Sequence, residues 1–260
     1  LVRLSMIDFI ELQNFKMSNS IEVINLSKTY KNKQAVKDIS FNISGNEIIG
    51  LLGPNGCGKT TTIAMILGLL KPTSGKVLIN NKDIAVHRIG LLHKMNFISP
   101  YIELPKKLTV RQNLIVYGKL YSVENLSDRI EYLSEKLRLN KFIDAITGEL
   151  SSGQKNRVSL AKSLINDPSV LLLDEPTASL DPETGDFVRT FLEEYKMEKK
   201  ISILLASHNM DEVKRLCSSV FMMKNGSIID SGSPLELIKK HGEENLEKVF
   251  LKLARYKNEF

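Results

Sequence analysis

The stretch from Ile48 to Leu70 constrains the fold of this chain more than any other. A continuously apolar run, Ile48 to Leu52, ends at a glycine-rich loop, Gly53-Pro54-Asn55-Gly56-Cys57-Gly58-Lys59-Thr60, and a helix-forming run opens directly at Lys59 and extends to Leu70. Apolar residues without polar alternation suit a strand covered on both faces, and strand, glycine loop and helix in succession build a parallel α/β layer. The glycines let backbone N–H groups approach an anion closely, and the helix start adds its positive dipole end. In such a cradle Lys59 is placed to reach the β and γ phosphates of a triphosphate and the Thr60 hydroxyl to ligate Mg²⁺, with Thr61 completing the loop.

Other segments extend the same architecture. Val170 to Leu173 reads as a second buried strand and Ile201 to Ala206 as a third, with helices between them from Ser152 to Ile165 and from Pro182 onward. Strands alternating with helices imply a mostly parallel sheet. Ile21 to Leu26 and Ile39, Phe41 and Ile43 alternate apolar with polar residues, which predicts an N-terminal antiparallel layer. From Thr109 to Leu139 the apolar positions Leu114, Tyr117, Leu120, Ile130, Leu133 and Leu137 recur at helical spacing, so this third is a helical insert. Pro72 and Gly75 are expected to stop the first helix. Asn225-Gly226 predicts a type I′ hairpin turn, and Pro234 onward reads as helical to the end. The fold class is therefore α/β: a phosphate-loop NTPase core, an antiparallel β layer and a helical insert.

The motifs run from about position 30 to 208 of 260 residues, so one catalytic unit is expected over residues 17–241, with a helical subdomain at about 100–165. Residues 1–16 read as an extension outside the fold and 242–260 as a helical tail. The net charge of +6 is scattered among acids without a dense basic block, which argues against nucleic acid. No apolar run approaches the roughly 20 residues a spanning helix needs. The two cysteines, Cys57 and Cys217, make no disulfide framework and point to a reducing compartment, the cytoplasm. Cys57, near a helix start and Lys59, is expected to have a lowered thiol pKa.

Chemistry concentrates at strand ends. Asp174, closing the strand at Val170, is placed to help hold the metal, and Glu175 next to it to act as general base on the attacking water. Leu150-Ser151-Ser152-Gly153-Gln154 opens a helix with Ser151 as its N-cap, a motif with no purpose in an ordinary phosphate-loop enzyme.

With that motif lying between the glycine loop and Asp174-Glu175, the chain resembles the ATP-binding cassette (ABC) ATPases, the nucleotide-binding subunits of transporters, over roughly Ile21 to Ser231. The family signature is most often Leu-Ser-Gly-Gly-Gln, and Ser152 stands here in place of the first glycine. The resemblance implies that Ser151, Ser152, Gly153 and Gln154 face the γ-phosphate of ATP held by an opposing subunit. It implies that Tyr30 stacks on adenine, that Ser179, Leu180 and Asp181 cross a dimer interface, and that His208 senses γ-phosphate and positions water with Glu175. The family glutamine that leaves the core for the insert is replaced by Pro100, which has no carboxamide to offer.

As the resemblance implies, the cofactors are ATP and Mg²⁺. The partners are a second ABC ATPase subunit, identical or different, and a separate integral membrane permease. The subunit then sits in the cytoplasm, peripheral on the inner face of the cell membrane, and an exporter-type motor fits better than an importer. The alternative is a soluble ABC ATPase in another role such as cofactor assembly. A nucleotide switch without turnover is favoured only by Pro100.

Overall fold

Three strands with every residue buried lie side by side at the centre: β3 (Ile48–Leu52), β7 (Val170–Asp174) and β8 (Ser202–Ala206). The computed structural model describes residues 19–99, 102–178 and 180–255. β8 pairs in parallel with both neighbours, Leu51 against Ala206 and Asp174 against Ala206, so the three strands finish level at one edge of the sheet. The full sheet has the order β10-β9-β3-β8-β7-β6, with β6 (Met95–Ile98), β9 (Ser219–Lys224) and β10 (Ser227–Gly232). Only the β9–β10 pair is antiparallel. Ligands in open α/β sheets bind beyond the carboxyl ends of the strands, the edge reached by β3, β7 and β8 together.

A second, antiparallel sheet runs β2-β1-β4-β5, made of β1 (Asn19–Tyr30), β2 (Lys33–Ser44), β4 (Ser74–Ile79) and β5 (Lys82–Asp83). Ile21 pairs with Ile43, Val23 with Phe41 and Leu26 with Ile39, which puts the apolar alternation on one inward face. Side chains of the parallel sheet divide between two cores with period 2. Leu172, Leu204 and Ala206 meet the antiparallel layer and the first helix, while Leu171, Leu173, Ile203 and Leu205 meet the helices of the opposite face.

That first helix, α1 (Lys59–Ile66), is shorter than expected. Gly68 adopts φ +63, its N–H donates to Met65 O and the Leu69 N–H to Ala64 O, so a left-handed glycine closes the helix before Pro72 is reached. Gly75 instead turns the chain into β4 at φ +83, where a Cβ would lie 2.2 Å from Asn25 O. Helix α2 (Ile84–Leu92) and β6 fall where no element was expected.

The insert consists of α3 (Val110–Leu120) and α4 (Leu126–Lys136), followed by α5 (Ser152–Leu164). Beyond it lie α6 (Pro182–Lys199) and α7 (Met210–Leu216). The C-terminal stretch is two helices, α8 (Pro234–His241) and α9 (Leu246–Arg255), because Gly242 takes φ +64 between them. α9 lays Leu246 and Val249 into the core. At the hairpin, Asn225 and Gly226 both have positive φ, as a type I′ turn requires. Gly226 N–H donates to Cys57 O at 3.0 Å and Gly226 O accepts from Lys37 N–H at 2.8 Å, tying the phosphate loop to β2. No helix among the described residues is long and apolar enough to cross a membrane.

Candidate active site

Glycines make the loop after β3 possible. A Cβ on Gly53 would lie 2.4 Å from Cys57 Sγ and 2.5 Å from Met223 O, and one on Gly58, at φ +114, would lie 2.7 Å from Ala35 O. The backbone therefore runs tight against β2 and β9. Lys59 Nζ donates to Gly53 O at 2.5 Å and Pro54 O at 3.4 Å, and Thr62 Oγ1 donates to Gly58 O at 2.9 Å. Asn55, Gly56, Gly58, Lys59, Thr60 and Thr61 line one cleft of about 340 Å³, with Tyr30 on one side and Asp174 and Glu175 on the other. Gly53 and Cys57 lie buried beneath it, and Pro54 is exposed. Lys33 and Ala35 of β2 also line the cleft, which the sequence reading missed. The available signal was Lys33 facing Tyr30 across a two-residue turn. The Tyr30 ring is half exposed, with Lys28 Nζ 5.2 Å from its centre.

The expectation of an activated thiol at Cys57 is overturned. Burial pushes its pKa up and outweighs the opposing influence of Lys59 and the backbone N–H groups, because Sγ is sealed beneath the loop against Gly53.

Asp174 ends β7 buried, facing the cleft. Thr60 Oγ1 lies 3.5 Å from its Oδ2. Burial, then the neighbouring Glu175, raise its pKa against Lys59 and Thr60. A hydroxyl and a carboxylate are hard oxygen donors of the kind Mg²⁺ takes when phosphates and water complete its shell, so the site fits that ion. No cluster of three or more His, Cys, Asp or Glu residues suited to a metal occurs among the described residues.

Glu175 has φ +53, a left-handed backbone that a non-glycine residue adopts at a cost of about 1 kcal/mol or more. Its N–H still donates to Ala206 O at 2.8 Å, so the strained residue is fastened to β8. Ser207 and His208 follow β8, and His208 Nδ1 lies 2.6 Å from Glu175 Oε2, while the His208 backbone N–H donates to the same oxygen at 3.4 Å. The carboxylate is mostly enclosed and the imidazole largely open to solvent.

Ser151 caps α5 and shares a capping box with Gln154: Ser151 Oγ accepts from Gln154 N–H at 3.3 Å and Gln154 Oε1 from Ser151 N–H at 2.9 Å. Ser152 is exposed, and Gly153 is buried, where a Cβ would come 3.1 Å from Thr184 Oγ1. Asp181 caps α6, accepting from Thr184 N–H at 2.9 Å and Thr184 Oγ1 at 2.7 Å, with Leu180 just ahead of it. Ser179 and Pro100 lie outside the described residues. None of Ser151 to Gln154 lines the cleft around Lys59 in the same chain. Asn156 of α5, also missed, donates from Nδ2 to Pro176 O at 2.6 Å and joins this helix to the turn after Glu175.

This arrangement has counterparts among known proteins. Residues 36–178 match the family model described as ABC transporter. Nod factor export ATP-binding protein I of Rhizobium sp. (strain N33) is 34% identical over 224 residues, covering 85% of this chain and 73% of that protein. ABC transporter ATP-binding protein NatA of Bacillus subtilis (strain 168) is 34% identical over 248 residues, covering 90% and 98%. Among solved structures, cbiO1 from Clostridium perfringens, part of the ABC transporter complex cbiONQ, is 32% identical with a TM-score of 0.77, covering 92% of this chain and 97% of that one. The ATP-binding cassette MJ0796, dimeric in a post-hydrolysis state with ADP and Pi, is 25% identical with a TM-score of 0.75, covering 82% and 98%. The chain belongs to the ABC transporter family, as an ATP-binding, ATP-hydrolysing cassette subunit.

Proposed function

We propose that this cassette closes with a second ABC ATPase subunit around two molecules of magnesium-ATP and drives a separate membrane permease in export. Lys59 and the N–H groups of Asn55 to Thr61 hold the β and γ phosphates, and Tyr30 supplies the stacking face for adenine. Thr60 and Asp174 would hold Mg²⁺, which would supply positive charge to offset that of the phosphate oxygens. Glu175 takes a proton from water as its oxygen attacks the γ-phosphorus, and the bond to the β-γ bridging oxygen breaks to give ADP and phosphate. His208, held against Glu175, orients that water and the γ-phosphate. Ser151 to Gln154 complete the opposing subunit's site, a role that suits a capped helix start absent from the chain's own cleft, and Ser179, Leu180 and Asp181 lie along the shared face.

The observation that carries this reading is the 2.6 Å pairing of His208 with Glu175 at adjacent strand ends, opening on the cleft that holds Lys59. Glu175→Gln should abolish turnover and accumulate as an ATP-bound dimer in sedimentation. Turnover at the parental rate would refute the assignment of the base.

Export is favoured by the relatives named for Nod factor export, and a permease partner by exposed apolar residues on and next to α2. Val86 and Ile89 on α2 are largely exposed, as is Leu69, which Gly68 carries up to Ile84 and Arg88 of that helix. A permease docked there places the subunit on the inner face of the membrane. Co-purification with an integral membrane protein and ATP-dependent efflux from loaded cells test this, and ATP-dependent uptake would overturn export.

A further inference from the structure

Glu212 is fully buried, yet nothing so far gives it a task. Asn209 caps α7 and Glu212 stands at the third helical position, where a glutamate ordinarily reaches back to the cap residue's own N–H. Thr109 with Gln112, Ser151 with Gln154, and Ser233 with Glu236 close that box in this chain. Glu212 does not. The Asn209 N–H donates to Ser207 Oγ at 3.1 Å, and the carboxylate turns inward. Its Oε1 accepts from Thr177 Oγ1 at 2.9 Å and its Oε2 from Ser207 Oγ at 2.6 Å.

Those two partners are the informative part. Thr177 is two residues beyond Glu175, and Ser207 immediately precedes His208, so one carboxylate spans the loops that carry the base and the imidazole. The turn at Pro176 and Thr177 is gripped from its other side by Asn156 of α5. Burial raises the pKa of Glu212, the two hydroxyl donors oppose that, the charge of Glu175 adds to it and Arg189 opposes it. A buried carboxylate is costly unless its oxygens are satisfied, and an apolar side chain would fill the same volume more cheaply, so packing gives no account of it.

We infer that Glu212 is a positioning residue for ATP hydrolysis: by accepting from Thr177 and Ser207 together, it locks the turn after Glu175 to the loop before His208 and so sets the spacing between them. The inference rests on the roles proposed for Glu175 and His208. It needs no contact between Glu212 and nucleotide. Loss of the bridge lets two reacting groups drift, and drift of the order of 1 Å can cost on the order of 100-fold in rate.

Glu212→Gln keeps the volume but replaces one acceptor oxygen with an NH2 donor, so the two hydroxyls can no longer both donate to this side chain. The expected result in the full chain is a kcat lowered about tenfold with KM for ATP within about twofold, since the nucleotide cradle is untouched. Thr177→Val should lower kcat similarly, and the double variant should be no slower than Glu212→Gln alone, because cutting either end of the bridge already frees the two loops from each other. Amide hydrogen exchange should quicken at Glu175, Ala178 and His208 in Glu212→Gln and remain as in the parent at the phosphate loop. Parental kcat in Glu212→Gln would overturn the inference. So would losses that multiply in the double variant, or a loss that vanishes once rates are expressed per ATP-binding molecule. If Glu175→Gln hydrolyses like the parent, the base assignment fails separately. Glu212 is then judged on exchange alone, and unchanged exchange at Glu175, Ala178 and His208 overturns it.

Discussion

At the scale of single residues, the surroundings of a buried thiol and of an enclosed carboxylate predict how each behaves. Cys57 sits under the phosphate loop with its thiol pKa raised by burial. Alkylation at neutral pH should be several-fold slower than that of a free thiol, rise with pH, and become fast in urea. Rapid labelling of native protein at pH 7 would contradict the buried assignment. Asp230 of β10 is nearly enclosed, accepting from Lys240 Nζ at 2.6 Å and lying 2.7 Å from His241 Nε2. Burial works against its charge, but the bonds to Lys240 and His241 outweigh it and hold the carboxyl below its ordinary value. The native state therefore holds this proton less readily than the unfolded chain. The stabilisation is complete above the unfolded value of about 3.9 and disappears as pH falls through the depressed native one. Urea titrations of Asp230→Asn should show a loss of about 1 kcal/mol at pH 7 that shrinks towards pH 3.

Among the elements, the start of α5 carries the sharpest prediction. Ser151→Ala removes the cap and half of its box with Gln154, so stability should fall by about 1 kcal/mol in urea denaturation. ATP-dependent dimerisation should weaken by more than that loss explains, since the same helix start is proposed to face the opposing nucleotide. The elements that sequence could reveal were those whose signal is local. β3, β7 and β8 are unbroken apolar runs, α5 announces itself through Ser151 and Gln154, and the Asn225-Gly226 turn through its backbone demands. Others carry no clear local signal. The end of α1 is hidden because Leu67, Leu69 and Leu70 prolong an apolar helical pattern across Gly68. β6 is four residues long and holds a buried Asn96, whose Nδ2 donates to Asn166 and whose Oδ1 accepts from Lys162 Nζ. For the site, Lys59 was legible as the helix start after the glycine loop, and Asp174, Glu175 and His208 as motif positions at or just beyond strand ends. Lys33 had only the short turn after Tyr30 to mark it; Asn156 and Glu212 were not legible, because each matters through a contact made by folding, and Glu212 in isolation reads as an ordinary capping glutamate.

For the whole molecule, the parallel sheet is the frame to which both halves of the chemistry are bolted. Its two faces feed separate apolar cores, one under the antiparallel layer and one under the helices. None of Ser151 to Gln154 lines the cleft around Lys59, although Ser152 shares a neighbouring cavity with Glu175. Turnover per chain should therefore rise with protein concentration, with a second-order onset in dilute solution, whereas a rate indifferent to concentration would leave the single chain as the working unit. The hairpin at Asn225 and Gly226 has a further effect at this scale. It binds Cys57 of the cradle with one hand and Lys37 of β2 with the other, while the paired strand β1 carries Tyr30. A turn that lines no part of the cleft thus acts as its gauge block, fixing the span between the proposed adenine platform at Tyr30 and the proposed phosphate anchor at Lys59.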